Sequence, residues 1–381
     1  MSARGVPDPA RPADTPFALA REEAFARIRL LRTPHIGPAS YFHLLRRYGR
    51  ATAALEALPE LAARGGGRVT PAPEARVSTE IARVRALGAR YLFHDSPAYP
   101  ALLAALDNPP PILTVRGDDA LLQRPSVAIV GARNASAGAV KLARDFGAAL
   151  AQAGCAVISG LARGIDAAAH RGALAAMAEG GGTVGVIASG IDIAYPPENT
   201  ALQEEVAEKG LLIAEMPPGT EPLARHFPHR NRIIAGLATG TLVVEAAPKS
   251  GSLITARLAG EAGREVMAIP GSPLDSRSHG CNQLIRDGAV LVQSPEDVLE
   301  LLRDFGGAPR SPLREPEALA PSFAEEETPA DIEALLGAAP VAVDELVRQS
   351  GASPGAVQMA LIELEIAGRL VRHAAGRVSL V

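Results

Sequence analysis

The chain has 381 residues, of which 47% are hydrophobic and 21% charged, and its formal net charge is −4 at pH 7. That length predicts two or three domains with a sizeable core, and the composition is typical of soluble globular proteins. An acidic chain does not coat nucleic acid through its overall field, so any binding to phosphate must come from a local basic patch.

Cysteine usage and hydropathy exclude further classes. The two cysteines, Cys155 and Cys281, lie far apart and have neither CxxC nor metal-ligand spacing, as expected in a reducing cytoplasm. Residues 1–14 contain no apolar signal-peptide core, and no stretch reaches the roughly 18 apolar residues that span a bilayer. We therefore expect a cytoplasmic protein without a metal site or a membrane partner.

The first hundred residues carry a local positive charge, with 15 Arg against 9 Asp and Glu. Residues 1–16 are expected to be disordered, and residues 17–90 to form a small helical domain. Within it, the stretch 35–45 predicts a tight Gly-Pro turn that opens a helix. This turn is typical of a helix-hairpin-helix module, whose backbone amides meet a phosphate, and also of an ordinary helix start in a helical bundle.

Residues 105–305 alternate short, β-branched apolar runs with segments of helical length, after a boundary at 108–111. Nearly continuous apolar runs are typical of strands that are buried on both faces. The alternation predicts an α/β domain with a doubly wound, mainly parallel sheet and right-handed crossovers. The expected strands are 112–115, 127–130, 156–158, 184–188, 211–214, 242–244, 266–269 and 290–292.

The C-terminal part has a different pattern. Residues 306–329 contain five Pro and an acidic run, which predicts a solvated linker. Residues 330–381 follow the order helix, helix, turn, helix and hairpin, which is that of a winged helix. Its third helix, expected at 356–367, contains no Arg or Lys, although a DNA reader needs cations there. We expect this domain to contact or pack against protein.

Small and polar residues cluster after the predicted strands, where an open α/β sheet binds its ligands. These ends carry Gly131-Ala-Arg133, the stretch 159–166 and Lys249-Ser-Gly-Ser252. Small residues permit close approach of a ligand, and helix N-termini supply donors. The GxGxxG fingerprint is absent because Arg133 stands at its second Gly, and no Walker Lys-Ser/Thr pair is present. No nucleotide cofactor is therefore expected.

The densest basic and aromatic cluster is Phe227-Pro-His-Arg-Asn-Arg-Ile-Ile-Ala-Gly-Leu237. Residues 216–260 contain five cations against two acids. Pro228 favours a helix start, which places Arg230 and Arg232 in a first turn whose unpaired amides attract an anion. A looped basic patch with aromatic rings suits splayed single strands better than a duplex. The sequence thus predicts a groove for phosphates in series, with a ring for a base.

Two carboxylates offer a catalytic alternative. Asp166 and Glu245 could act as general acid and base if they converged in a pocket. The competing structural interpretation makes Asp166 a cap in the turn before a helix and pairs Glu245 with Arg230 or Arg232. His170 is expected to be packed or hydrogen-bonded rather than catalytic.

Five motifs in this order resemble the DprA/Smf family of bacterial DNA-processing proteins. They are Gly131-Ala-Arg133, Ser159-Gly-x-Ala-x-Gly-Ile-Asp166, the stretch 227–237, Glu245-Ala-x-x-x-Ser-Gly-Ser252 and Pro270-Gly271. The resemblance covers about residues 25–305. It implies an extended Rossmann-like domain flanked by an N-terminal helical domain of sterile-alpha-motif type and a C-terminal winged helix. It also implies binding of single-stranded DNA, dimerisation, and loading of the RecA recombinase onto incoming strands during natural transformation.

The residue patterns and the resemblance together give one set of expected DNA contacts. The resemblance implies a pocket around Arg133 and around the segment leading into Phe227, where Arg225 stands in place of the Lys that family members often carry. We expect a binding protein rather than an enzyme. The full set is Gly131, Arg133, Ser159, Arg163, Arg225, Phe227, Arg230, Asn231, Arg232, Lys249, Ser250, Gly251 and Ser252.

Two alternatives stay open. A nucleotide hydrolase related to the lysine-decarboxylase-like Rossmann proteins would use Glu245 as its catalytic acid, but their motif Pro-Gly-Gly-x-Gly-Thr-x-x-Glu is absent. A transcriptional regulator would bind specific duplex sequences through residues 330–381, against which the acidic third helix argues.

Overall fold

The structure is a computed structural model that describes residues 19–177, 181–305, 331–373 and 376–381. The expected disordered N-terminus at 1–16 and the expected linker at 306–329 lie outside these ranges. Within them, no helix combines the length and the apolar character that crossing a membrane requires.

The N-terminal domain contains four helices. They are α1 (Arg21–Arg32), α2 (Pro38–Tyr48), α3 (Ala51–Arg64) and α4 (Glu74–Ala86). Pro38 opens α2 directly after Gly37, so the predicted Gly-Pro helix start is present. Gly49 follows α2 as its C-cap, and its φ of 72° is a left-handed conformation that glycine adopts readily. Leu44 and Leu58 are fully buried and hold the helices together.

Nine strands form the central sheet. They are β1 (Arg90–Phe93), β2 (Ile112–Gly117), β3 (Ser126–Val130), β4 (Ala156–Ser159), β5 (Gly182–Gly190), β6 (Leu211–Met216), β7 (Gly240–Val243), β8 (Glu265–Ala268) and β9 (Val290–Leu291). Their order is β1-β2-β6-β5-β4-β3-β7-β8-β9, parallel from β6 to β9, with β1 and β2 as an antiparallel edge. The predicted mainly parallel α/β sheet is confirmed, and each predicted strand is present.

Helices cover both faces of this sheet. They are α5 (Ala101–Ala104), α6 (Ala137–Gln152), α7 (Ile165–Ala175), α8 (Thr200–Lys209), α9 (His226–Leu237), α10 (Gly251–Glu261), α11 (His279–Arg286) and α12 (Pro295–Phe305). Along β3, Val127 and Ile129 enter one hydrophobic cluster whereas Ala128 and Val130 enter another. Successive side chains of a strand point to opposite faces, so the two clusters are the cores on either side of the sheet.

The C-terminal domain is the predicted winged helix. It contains β10 (Val341–Ala342), α13 (Val343–Ser350), α14 (Pro354–Ile366), β11 (Leu370–His373) and β12 (Arg377–Leu380). The three strands pair in the order β10-β12-β11. The helix expected at 332–336 is instead a single 3-10 turn, Glu333–Leu335.

Helix α14 packs on the N-terminal domain. Ile362 and Ile366 are buried in the same cluster as the side chains of α1, α2 and α3. Beside them, the hydroxyl of Ser40 donates a hydrogen bond to Glu365 at 2.5 Å. One face of the third helix of the winged helix therefore contacts protein within the same chain.

Candidate nucleic-acid interface

Two of the three strand ends singled out by the sequence, those after β3 and β4, line a pocket of about 340 Å³. It lies beyond the carboxyl ends of β3, β4 and β5, where an open α/β sheet binds ligands, and α9 closes one side. The lining residues are Arg133, Asn134, Gly160, Ala162, Arg163, Tyr195, Pro196, Phe227 and Arg230. The fold thus brings together four of the expected contacts, which are Arg133, Arg163, Phe227 and Arg230.

An exposed guanidinium group and two aromatic rings form one wall of the pocket. The Cζ atom of Arg133 lies 5.2 Å from the centroid of the Phe227 ring, which is a cation–π distance. The Phe227 centroid lies 5.6 Å from that of Tyr195, with the ring planes tilted by 59°. Arg133 is exposed and Tyr195 is 43% exposed, so a ligand can reach both. The wall therefore combines positive charge with aromatic surface.

Arg230 forms the floor of the pocket and is only 6% exposed. Its Nη1 atom donates hydrogen bonds to the carbonyls of Gly160 at 2.6 Å and Val186 at 2.7 Å. Burial lowers the pKa of Arg230 to about 10, which leaves it protonated at neutral pH. Because α9 begins at His226, two residues before Pro228, Arg230 falls in the second turn and not in the first turn as predicted.

Asp166 also holds the loop after β4, which carries Gly160. Its carboxylate accepts hydrogen bonds from the amides of Gly160 at 3.2 Å and Ala162 at 3.4 Å. The role is structural as expected, but Asp166 lies inside α7 and holds the preceding loop, and it does not cap the helix. Burial raises the pKa of Asp166, and the positive charge of Arg230 opposes that rise. A Cβ at Gly160 would overlap the Arg230 guanidinium group. At Gly164, where φ is 72°, it would overlap a carbonyl of the loop after β3.

Among the residues that the structure describes, Glu245 pairs with no arginine. It is buried and accepts hydrogen bonds from the amide of Ser136 at 3.0 Å and from its hydroxyl at 2.6 Å, directly before α6. Arg232 instead pairs with Glu215 at 2.5 Å. The expected pairing of Glu245 with Arg230 or Arg232 is therefore wrong. The physical reason is the strand order: β7 lies beside β3, so Glu245 meets the loop into α6 rather than α9.

Three predicted residues have packing roles. A Cβ at Gly131 would lie 2.6 Å from Cγ1 of Ile165. The side chain that approaches Gly131 closely is therefore Ile165 of the same chain, where the sequence predicted a ligand. Ser159 is fully buried and donates to a carbonyl of β3 at 2.6 Å. The Nδ1 atom of His170 lies 2.7 Å from the hydroxyl of Thr183, which confirms that this histidine is packed and hydrogen-bonded.

The other predicted contacts lie outside the lining of this pocket. Arg225 is exposed immediately before α9. Residues 249–252 span the end of the loop into α10 and the first two residues of that helix, with Lys249 exposed and Ser250 capping the helix. Asn231 donates a long hydrogen bond of 3.5 Å to the carbonyl of Gly251 at the start of α10. The start of α10 therefore borders α9, and residues 249–252 do not join the pocket wall.

Sequence reasoning missed Asn134, Tyr195 and Pro196 in the lining. Tyr195 lies in the loop that leaves the carboxyl end of β5. In a chain with 5 Tyr, 8 Phe and no Trp, an aromatic residue at a strand end is a usable signal. Asn134 directly follows Arg133 and gave no signal of its own.

Three family models match the chain in order. The first, described as a DprA-like N-terminal HHH domain, matches residues 21–82. The second, described as DNA recombination-mediator protein A, matches residues 90–303 and so more than half of the chain. The third, a DprA winged helix domain, matches residues 315–376.

Individual proteins agree with these models. The protein Smf of Synechocystis is 35% identical over 312 residues, which cover 73% of this chain and 77% of Smf. The structure of DNA processing protein A from Streptococcus pneumoniae matches with a TM-score of 0.63 and 36% identity, over 74% of this chain and 98% of that one. For the Helicobacter pylori protein, described for its single-stranded DNA binding mode, the TM-score is 0.51 and the identity 29%, over 56% and 97% of the two chains. With all three of its domains matched, the chain belongs to the DprA/Smf family.

Proposed function

We propose that this chain is a DNA-processing protein that binds single-stranded DNA at the pocket beyond β3, β4 and β5. The observation that carries the proposal is the exposed Arg133 guanidinium group, 5.2 Å from the Phe227 ring centroid on the pocket wall. A single strand offers phosphates for such a charge and unstacked bases for such a ring. A net charge of −4 makes this local arrangement, and not the overall field, the source of affinity.

In this proposal the exposed side chains contact the DNA, and the buried Arg230 supports the pocket. Arg133 and Arg163 are exposed in the lining and contact phosphates, with Arg225 at the approach to α9. Phe227 stacks on a base. Arg230 holds the loop that carries Gly160, because its guanidinium group already binds two carbonyls.

The relatives extend the proposal to a cellular role. The Streptococcus pneumoniae relative is named a DNA processing protein, and the Helicobacter pylori one is described for binding single strands. From the family resemblance we further propose that the chain acts in the cytoplasm as a homodimer that protects incoming DNA during natural transformation. It then loads RecA onto that strand.

The geometry favours binding over nucleotide hydrolysis. The carboxylates of Asp166 and Glu245 are buried and each accepts hydrogen bonds from the backbone, which is the environment of a structural carboxylate. Release of free base from nucleoside monophosphates, abolished by Glu245→Gln, would overturn this preference.

Fluorescence anisotropy with matched single-stranded and duplex oligonucleotides tests the proposal. We expect tighter binding of the single strand, and faster assembly of RecA on that strand when the chain is present. Equal affinity for both forms would refute the proposed binding mode. Unchanged RecA assembly would refute the loading role alone.

A further inference from the structure

Tyr195 is an aromatic side chain whose exposure the core does not explain. Among the Phe and Tyr residues whose side chains the structure describes, Tyr195 alone is exposed, at 43%. Exposure of a large ring loses the stabilisation that burial gives, so a ring at the mouth of a pocket is a candidate contact for a ligand.

The loop that carries Tyr195 is braced at several points. The hydroxyl of Ser189 donates to the carbonyl of Ile193 at 2.7 Å. On the other side, the amide nitrogen Nδ2 of Asn199 donates to the carbonyl of Leu161 at 2.9 Å, which ties the loop to the turn after β4. A fixed ring loses little conformational freedom when a base stacks on it, and such preorganisation favours binding.

Asp192 adds a brace from the N-terminal domain. Its carboxylate pairs with Arg83 of α4 and accepts a hydrogen bond from the amide of Gly219 at 2.8 Å. The position of Tyr195 is thereby coupled to two neighbouring segments. The loop is a support for the ring and not an unconstrained surface turn.

The two rings are too close for a base to enter between them. The centroids of Tyr195 and Phe227 are 5.6 Å apart. Insertion of a base needs about 7 Å, twice the ~3.4 Å spacing of bases along a strand. A base must therefore stack on a face of Tyr195 that does not meet Phe227, while the exposed Arg133 remains free for a phosphate.

We propose that Tyr195 is a base-stacking residue, so that the pocket reads a single strand through two platforms, Tyr195 and Phe227. This inference rests on the proposed binding of single-stranded DNA at the same pocket. It adds a ligand contact that the residue pattern did not provide. Because stacking tolerates any base, Tyr195 contributes affinity without sequence preference.

The test uses the full chain and a short oligothymidylate, with and without a single abasic site at each position in turn. Tyr195→Ala should weaken binding of the intact oligonucleotide by about 5- to 150-fold, as expected for the loss of one stacked base. The slope of log affinity against log salt should stay unchanged because no phosphate contact is lost. Tyr195→Phe, which keeps the ring, should restore most of the affinity. Leu142→Ala is the control, since Leu142 is similarly exposed at 38% on α6.

A second readout uses the absence of Trp from the sequence. Tyr195→Trp introduces a lone indole, whose emission should be quenched by the intact oligonucleotide and less so when one particular position is abasic. If the native chain binds the strand but Tyr195→Ala binds equally well, or no abasic position alters the quenching, the inference fails and the proposed function stands. If the native chain does not bind the strand, the proposed function fails and this inference fails with it.

Discussion

Replacement of Arg230 by Met separates a supporting role from a phosphate contact. Methionine has similar length and flexibility but no donors, so the carbonyls of Gly160 and Val186 lose hydrogen bonds of 2.6 and 2.7 Å. Hydrogen bonds from a charged donor contribute about 1.5–3 kcal/mol each, or about 3–6 kcal/mol for the two. Folding of the native chain also carries the cost of removing the Arg230 charge from water. The methionine variant does not have this cost, which offsets part of the loss. We expect a net fall of about 2–4 kcal/mol in the free energy of unfolding.

Urea unfolding and oligonucleotide binding are measured on the same variant. Arg230→Met should lower the urea midpoint and weaken single-strand binding, because the loop at Gly160 is displaced. Its binding should keep the native salt slope. Arg133→Met is the matched control: an exposed residue should change stability by less than about 0.5 kcal/mol. That variant should lower the salt slope by about 0.7, the value for one phosphate contact on a single strand.

The opposite pattern would refute the reasoning. In that pattern Arg230→Met has the same urea midpoint as the native chain and a salt slope that falls like that of Arg133→Met. That result would show that Arg230 contacts phosphate directly. The hydrogen bonds to Gly160 and Val186 would then contribute little.

Three further predictions concern stability and domain contact. Gly164→Ala should cost about 1–3 kcal/mol in urea unfolding because φ is 72° there, whereas Gly138→Ala, in open space on α6, should not destabilise; equal effects would contradict this. Burial lowers the pKa of His170 to about 3, so the free energy of unfolding should fall by up to about 1.4 kcal/mol per unit as pH drops from 6.5 towards 3. His170→Gln should flatten that decline in pH-dependent urea unfolding, and an unchanged profile would argue against a neutral buried imidazole. Ile366→Asp should release α14 from the N-terminal helices and raise the radius of gyration in small-angle scattering, unlike Ile366→Val; an unchanged radius would contradict this.

The sheet could be predicted because strands buried on both faces leave continuous apolar runs in the sequence. Strand β1 could not, since only Leu92 of its four residues is buried and an edge strand leaves no such run. The predicted helix at 332–336 failed for a related reason. Four or five residues permit a 3-10 turn as readily as an α-helix, and the 3-10 turn spans Glu333–Leu335.

The site was predictable as a region but not in the roles of its residues. The position of Arg133 after a predicted strand indicated that it lines the pocket, as the structure has it. The sequence does indicate the inward position of Arg230. This residue precedes Ile233 and Ile234 by three and four residues and so shares their buried face of α9. No sequence pattern predicts the pairing of Arg232 with Glu215, since the sequence does not show which strand lies beneath the helix.

The most direct test of the central claim is a structure of the full chain bound to a short oligothymidylate. We predict a phosphate oxygen within hydrogen-bonding distance of the Arg133 guanidinium group and a base against the Phe227 ring. A strand bound at residues 249–252 or on the winged helix, with the pocket empty, would contradict the proposed interface.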